Sequence, residues 1–420
     1  MARRPECATL VAGVLAATLA APACAFDGKV GGSLREQVEI ISDDGLGSGG
    51  QSDRVLLHRL LLRLDGSVSP TLRGTLEFDA SAQGGRNGGS SPVDESEPDL
   101  HQSILEWDLP VAATQLRVGR QEWTLGSGRL VSVRDGPNIR RAFDAVQLRG
   151  RIGATPWRAF LGRPVRNRDG SFDDREDRSQ HLGGFEMSLP LSTAAGTLEL
   201  YALDYRHDDA EFSSGNARER RRSVGARWHA RGPVFDFNTE AVVQDGEWGD
   251  ASIRAWTLAS DAGWQVPLGS RHARVGLKAD VASGDGDPDD SRLQTFNALY
   301  PNPSYFSDAA LIAPANLIDL QPNVGLPLSE SMRLYAGWNL LWKHRRADAV
   351  YTTPVPLTPV AGSAGRARWI GQQAQCSAQW TPREFVSVEA SYVHFRPGRA
   401  LSSLQEQPID FLQLVLTLSF

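Results

Sequence analysis

Residues 71–81, TLRGTLEFDAS, decide the fold class. Leu72, Gly74, Leu76, Phe78 and Ala80 fall on one face, with Thr71, Arg73, Thr75, Glu77, Asp79 and Ser81 on the other. A period of two describes a strand with one apolar and one polar side. Residues 332–343 repeat it, setting Met332, Leu334, Ala336, Trp338, Leu340 and Trp342 against Arg333, Tyr335, Asn339 and Lys343. The final run, DFLQLVLTLSF (residues 410–420), aligns Leu412, Leu414, Leu416, Leu418 and Phe420. A soluble sandwich would show the same alternation in shorter strands, so the connections have to separate the two.

Working outward, eighteen such segments fill residues 28–420, with no convincing amphipathic helix among them. Long connections near 42–53, 82–100, 123–142, 164–179, 208–219, 245–250, 283–318, 345–365 and 397–408 alternate with eight short ones. Long external loops alternating with short periplasmic turns mark an outer-membrane barrel. Apart from the N-terminus, no apolar run reaches the roughly 20 residues of a membrane helix. Only helices and closed barrels satisfy their backbone inside lipid. The expected fold is therefore all-β: an up-and-down antiparallel transmembrane barrel of about eighteen strands, wide enough for an aqueous channel. Trp107, Trp123, Trp157, Trp264 and Trp380 lie near strand ends as candidate interface girdles. Parity slips in strands 1, 5 and 9, where a bulge is expected.

The N-terminus reads as a targeting segment. Arg3 and Arg4 precede the apolar stretch 10–21, and Ala23-Cys24-Ala25 supplies a small-x-small cleavage pattern. Residues 1–25 are expected to be removed, leaving 26–420 as one barrel domain. Cleavage shifts the net charge from −6 to −7 and leaves Cys376 as the one cysteine, so the mature chain has no internal disulfide.

Residues 115–151 stand apart in charge, with eight arginines against three acids in an otherwise acidic chain. Gly126, Gly128, Gly136 and Pro137 make residues 123–142 a shaped loop able to bend into the pore. Its four arginines, Arg129, Arg134, Arg140 and Arg141, are candidates for a basic constriction, with Arg117, Arg149 and Arg151 on the flanking strands. Arginine keeps its charge and grips carboxylates with a planar fork. Strand parity turns thirteen basic side chains toward the lumen, Arg117, Arg149 and Arg151 among them, against eight acidic ones.

Other motifs carry little. Residues 45–50, GLGSGG, match GxGxxG but precede a strand where a nucleotide site needs a helix. Asp285, Asp287 and Asp289 resemble the start of a calcium loop, yet Phe296 occupies the position of the bidentate glutamate. The eight histidines form no HxxxH pair, and there is no GxSxG. Neither a cofactor nor a catalytic role is expected, and no nucleic acid partner.

Two stretches resemble the alginate export family of outer-membrane proteins: GRQEWTLGSGRLVSVRDGPNIRRAFDAVQLR (residues 119–149) and YPNPSYFSDAALIAPANLIDLQPNVGL (residues 300–326). The resemblance implies an eighteen-stranded outer-membrane barrel whose arginine-lined pore passes polyuronate. It assigns that role to Arg129, Arg134, Arg140 and Arg141, with Asp135 and Asp144 holding them. Dedicated alginate channels carry a long periplasmic plug near the C-terminal end, whereas the last turn here is only Thr381-Pro382-Arg383-Glu384. The expected function is a channel for anionic solutes, uronate-type saccharides foremost. The alternatives are a general diffusion porin and a non-transport barrel, either adhesin or enzyme. Membrane lipid surrounds the expected monomer, and terminal Phe420 resembles the signal read by barrel assembly machinery.

Overall fold

The computed structural model describes residues 28–420 except 44, 47–49, 88, 112, 193–194 and 353–356. The targeting segment and half of the GLGSGG run, residues 47–49, lie outside the described residues. Eighteen barrel strands follow in chain order. They are β1 (Gly28–Ile41), β2 (Asp53–Ser69), β3 (Leu72–Gly84), β4 (Ser96–Asp108), β5 (Gln115–Gln121), β6 (Phe143–Ile152), β7 (Thr155–Arg166), β8 (Gln180–Ser192) and β9 (Gly196–Phe212). The second half comprises β10 (Gly215–Arg231), β11 (Phe235–Trp248), β12 (Ala251–Leu268), β13 (Arg271–Ala282), β14 (Leu317–Pro327), β15 (Met332–Lys343), β16 (Trp369–Arg383), β17 (Val386–Pro397) and β18 (Ile409–Ser419).

Every strand pairs antiparallel with its neighbours, and β1 pairs with β18 from Ser33↔Ser419 to Ile41↔Phe411. The sheet is thereby closed, which satisfies every strand edge within lipid. At the seam the Gly32 amide donates to the Phe420 carbonyl at 2.9 Å, and the Phe420 amide donates back at 3.0 Å. A Cβ on Gly32 would stand 2.3 Å from the Leu61 carbonyl oxygen and 2.6 Å from the Phe420 ring. Glycine is required there by close approach.

The two faces divide by chemistry. Leu76, Leu105, Val118, Val146, Leu161, Val224 and Val243 are exposed on the outer face, where lipid covers them. The opposite parity carries the charged side chains into the lumen. Trp107, Trp264 and Trp380 are exposed as girdle residues should be, but Trp123 is buried in the lumen, its ring stacked 4.2 Å from Phe143. A strand-end position alone did not distinguish a lipid-facing tryptophan from one anchoring a loop.

Two connections expected to be long are tight turns. β9 and β10 are joined by Ser213-Ser214, and β11 and β12 by Gly249-Asp250. Their strands continue through polar sequence above the apolar band, with positive φ at Gly215 and Gly249 supplying the reversals. The periplasmic turn between β16 and β17 is short as expected. Register slips in β9 between His207 and Ala210, and Gly119 in β5 has φ of 121°, while β1 runs in unbroken register with both neighbours.

Candidate functional site

The connection between β5 and β6 turns inward and crosses the lumen. A polar loop can be held there only if its backbone groups find partners. The Ser132 amide donates to the Tyr300 carbonyl and the Tyr300 amide to Leu130, at 2.9 and 2.8 Å, joining this loop to the β13–β14 connection. Around that bridge Leu125, Leu130, Val131, Phe143 and Tyr300 form a buried apolar core inside the barrel.

Both ends of the crossing are fastened to the wall. On the β1–β2 side, Arg35 donates to the carbonyls of Asp135, Gly136 and Pro137 at 2.5–3.0 Å, and Arg59 Nη2 lies 2.9 Å from Asp135 Oδ1. Asn138, fully buried, donates through Nδ2 to the carbonyls of His58, Ala82 and Asp94. On the other side Arg129 Nη1 lies 3.1 Å from Glu240 Oε2 on β11, and Ser127 donates to the same oxygen at 2.6 Å. β2 and β11 are nine strands apart in a ring of eighteen, so the loop is a crossbar between opposite walls.

This geometry redistributes the sequence-predicted arginines. Arg129 is buried in its ion pair. Burial alone would lower its pKa, but Tyr305, Asp280 and Glu240 together hold it above the usual arginine range. Arg134 and Arg141 are buried in the loop core and do not line the pore. Burial pushes Arg134 down to about 10, and burial with the Arg134 charge pushes Arg141 well below its ordinary value. Arg141 instead donates to the Ser132 carbonyl and lies over the Tyr300 ring, 5.2 Å from its centre. Arg140 closes the loop's neck, with Nη2 at 2.8 Å from Glu122 and Nε at 3.4 Å from Asp135.

Asp135 lies beside Arg59 of the wall and Arg140 of the loop, whereas Asp144 faces elsewhere. It lies on the face of β6 that carries Val146 and pairs with Arg120 at 2.9 Å. One residue of offset sends a strand side chain to the opposite face. Arg151 sits at the periplasmic turn, donating to the Ala154 carbonyl, too far along β6 to meet the crossbar. Asp285, Asp287 and Asp289 do not converge on a cation position. Oδ1 of Asp285 accepts the Asp287 amide and Oδ1 of Asp287 the Asp289 amide, so these carboxylates cap local backbone.

Below the crossbar, the lumen wall carries arginines that share carboxylates. Arg149 and Arg117 approach Glu106 at 2.5 and 3.6 Å, and Arg63 approaches Asp65 and Glu77 at 2.7 and 3.5 Å. Arg158–Glu186, Arg227–Glu199 and Arg274–Asp236 all lie at 2.7 Å. Each of these wall arginines was legible from strand parity. Arg35 was missed because Glu36 and Ile41 blur the apolar alternation of β1 although its register is unbroken, and Asn138 because nothing in a Gly-Pro-Asn turn announces three distant carbonyls.

No curated protein matches the chain. Among solved structures it is similar to OpdK of Pseudomonas aeruginosa, crystallised with vanillate: TM-score 0.63, 12% identity, over 94% of this chain and 98% of that one. OccK2 (OpdF) of the same organism, in complex with glucuronate, gives the same values. A BenF-like porin from Pseudomonas fluorescens Pf-5 matches at TM-score 0.64 and 10% identity, over 94% and 99% of the two chains. At these identities the likeness shows the fold alone. The alginate export family model matches residues 27–412, nearly all of the barrel, and the chain belongs to the alginate export family.

Proposed function

We propose that this protein is an outer-membrane channel passing anionic solutes, uronate-type saccharides among them. The observation that carries this reading is the set of half-buried lumen arginines, each shared with a wall carboxylate. A solute carboxylate can displace the wall carboxylate from such a pair, take its place on the guanidinium fork, and hand it back as it moves on. Exchange of partners keeps binding strong enough for entry and weak enough for exit. The glucuronate in the OccK2 structure lends support as a uronate held in a barrel of this shape.

In this reading Arg117, Arg149 and Arg63 meet the solute, and the loop arginines Arg129, Arg134 and Arg141 hold the crossbar that narrows its path. Residues 1–25 direct export and are cleaved, which N-terminal sequencing of the mature protein from Phe26 would test. The barrel acts as a monomer, inserted through recognition of Phe420.

Single-channel recording in planar bilayers tests the channel. Wild type should prefer anions and be blocked by uronate oligomers, and Arg117→Gln with Arg149→Gln should weaken both. A general diffusion porin is the second reading, favoured by the near-balance of charge in each arginine–carboxylate cluster. Conductance without anion preference, unchanged in the double variant, would decide for it.

A further inference from the structure

A cluster of metal-ligating side chains lies at the root of the crossbar. Glu77 on β3, His101 on β4 and Glu122, the first residue beyond β5, bring their ligand atoms within 4.8 Å of one another. The sequence arranges this through a bulge. Glu77 pairs with Gln102 and Phe78 with Leu100, so His101 is the extra residue. A bulge re-aims one side chain without ending the strand, and here it sends the imidazole to the lumen face. His101 Nε2 lies 2.7 Å from Glu122 Oε1. Gln102 donates to Glu77 Oε1 at 2.9 Å, and Arg140 holds Glu122 Oε2 at 2.8 Å.

A second observation points into the same place. Asp79, two residues along β3 on the same face, is only 4% exposed, and its Oδ1 has no hydrogen-bond partner. It pairs with Asp99 on β4, two residues before His101, on the far side of the same bulge. A buried carboxylate oxygen left without a donor is costly, and a positive group beside it would relieve that cost.

We infer that Glu77, His101 and Glu122, with Asp79 beside them, form a binding site for a divalent transition cation. One imidazole with two or three carboxylates suits zinc or manganese better than calcium or magnesium, which favour all-oxygen sets. The cation would enter between His101 Nε2 and Glu122 Oε1, which need separate only from 2.7 Å to roughly 3.3 Å, the edge of a zinc tetrahedron. Because Glu122 also holds Arg140, the cation would tie the wall to the neck of the crossbar. The inference stands independently of what the channel passes.

The test is equilibrium dialysis of the purified, folded full-length mature barrel, stripped with chelator, against zinc chloride. Wild type should bind one zinc per barrel at this site, at least ~10-fold more tightly than His101→Ala or the near-isosteric Glu77→Gln. Heat-modifiable gel migration establishes that each variant is folded. X-ray absorption at the zinc edge of the wild type needs no variant and should show one imidazole among oxygen ligands. No stoichiometric zinc, equal affinity in folded His101→Ala, or a shell with sulfur or several imidazoles would overturn the inference.

Discussion

Arg129 and Glu240 are separated by more than a hundred residues and meet at 3.1 Å, both buried, in the lumen of a barrel. Glu240 also accepts from Ser127 and from the Tyr201 hydroxyl, so its two oxygens serve three donors. The pair fastens a loop whose other end is held by Arg35 and Arg59 across the pore.

Glu240→Gln should release that end. Removing one partner of a buried pair costs up to about 3–5 kcal/mol, and here less, because Tyr305 and Asp280 still face Arg129. The expected result is a locally detached crossbar in a barrel that still migrates as folded. Single-channel conductance should rise and fluctuate more. Conductance identical to wild type would mean that the crossbar does not limit the path.

Asn138→Leu attacks the opposite anchor. It removes the two amide hydrogens shared among the carbonyls of His58, Ala82 and Asp94, for a loss on the order of 3 kcal/mol. Amide exchange across residues 130–140 should accelerate, while the transmembrane ladders remain protected. Unchanged exchange in this segment would show that Arg35 and Arg59 alone suffice to hold it.

The seam supplies a prediction about assembly. Gly32→Val must displace both the Leu61 carbonyl and the Phe420 ring, and the Leu61 backbone cannot yield without opening the β1–β2 ladder beside the seam. The yield of heat-modifiable barrel should fall several-fold, with a smaller loss for Phe420→Leu. Equal yields for wild type and Gly32→Val would exclude a close-packed seam.

Acidification should tighten the extracellular face. Burial, with help from the Asp348 charge, raises the Asp285 carboxyl to about 6, while the Asp287 amide opposes the shift. A folded pKa above the unfolded value of about 3.9 means that the folded state binds the proton more tightly. The associated stability is full below the unfolded pKa and is lost as pH rises through about 6. Between pH 7 and pH 5, exchange in residues 283–295 should therefore slow, and Asp285→Asn should flatten that dependence.

Much of this architecture was legible before any coordinates. Alternation at 71–81 and 332–343 placed the lumen charges, because a period of two leaves no freedom once one face is apolar. The tight turns at Ser213-Ser214 and Gly249-Asp250 were hidden, since strands above the lipid need no apolar face and read as loop. The fate of the arginines was hidden for another reason. Whether Arg134 meets solute or lies in a packed core depends on Tyr300 and Leu130, and no local pattern links residue 134 to residue 300. Asp144 shows the same limit, its face being settled by one residue of register.

The wall is uneven in height. β5 has only seven residues where β12 has eighteen, and the turns joining β9 to β10 and β11 to β12 carry that side of the rim far above the bilayer. The strand wall, apart from its loops, is thus cut obliquely, like a quill, with its low lip where β5 gives way to the crossbar. A solute crossing the wall would meet that lip first. Rotating the barrel about the membrane normal would then rotate the direction in which cargo leaves or arrives, giving a nominally round pore a heading within the plane of the membrane.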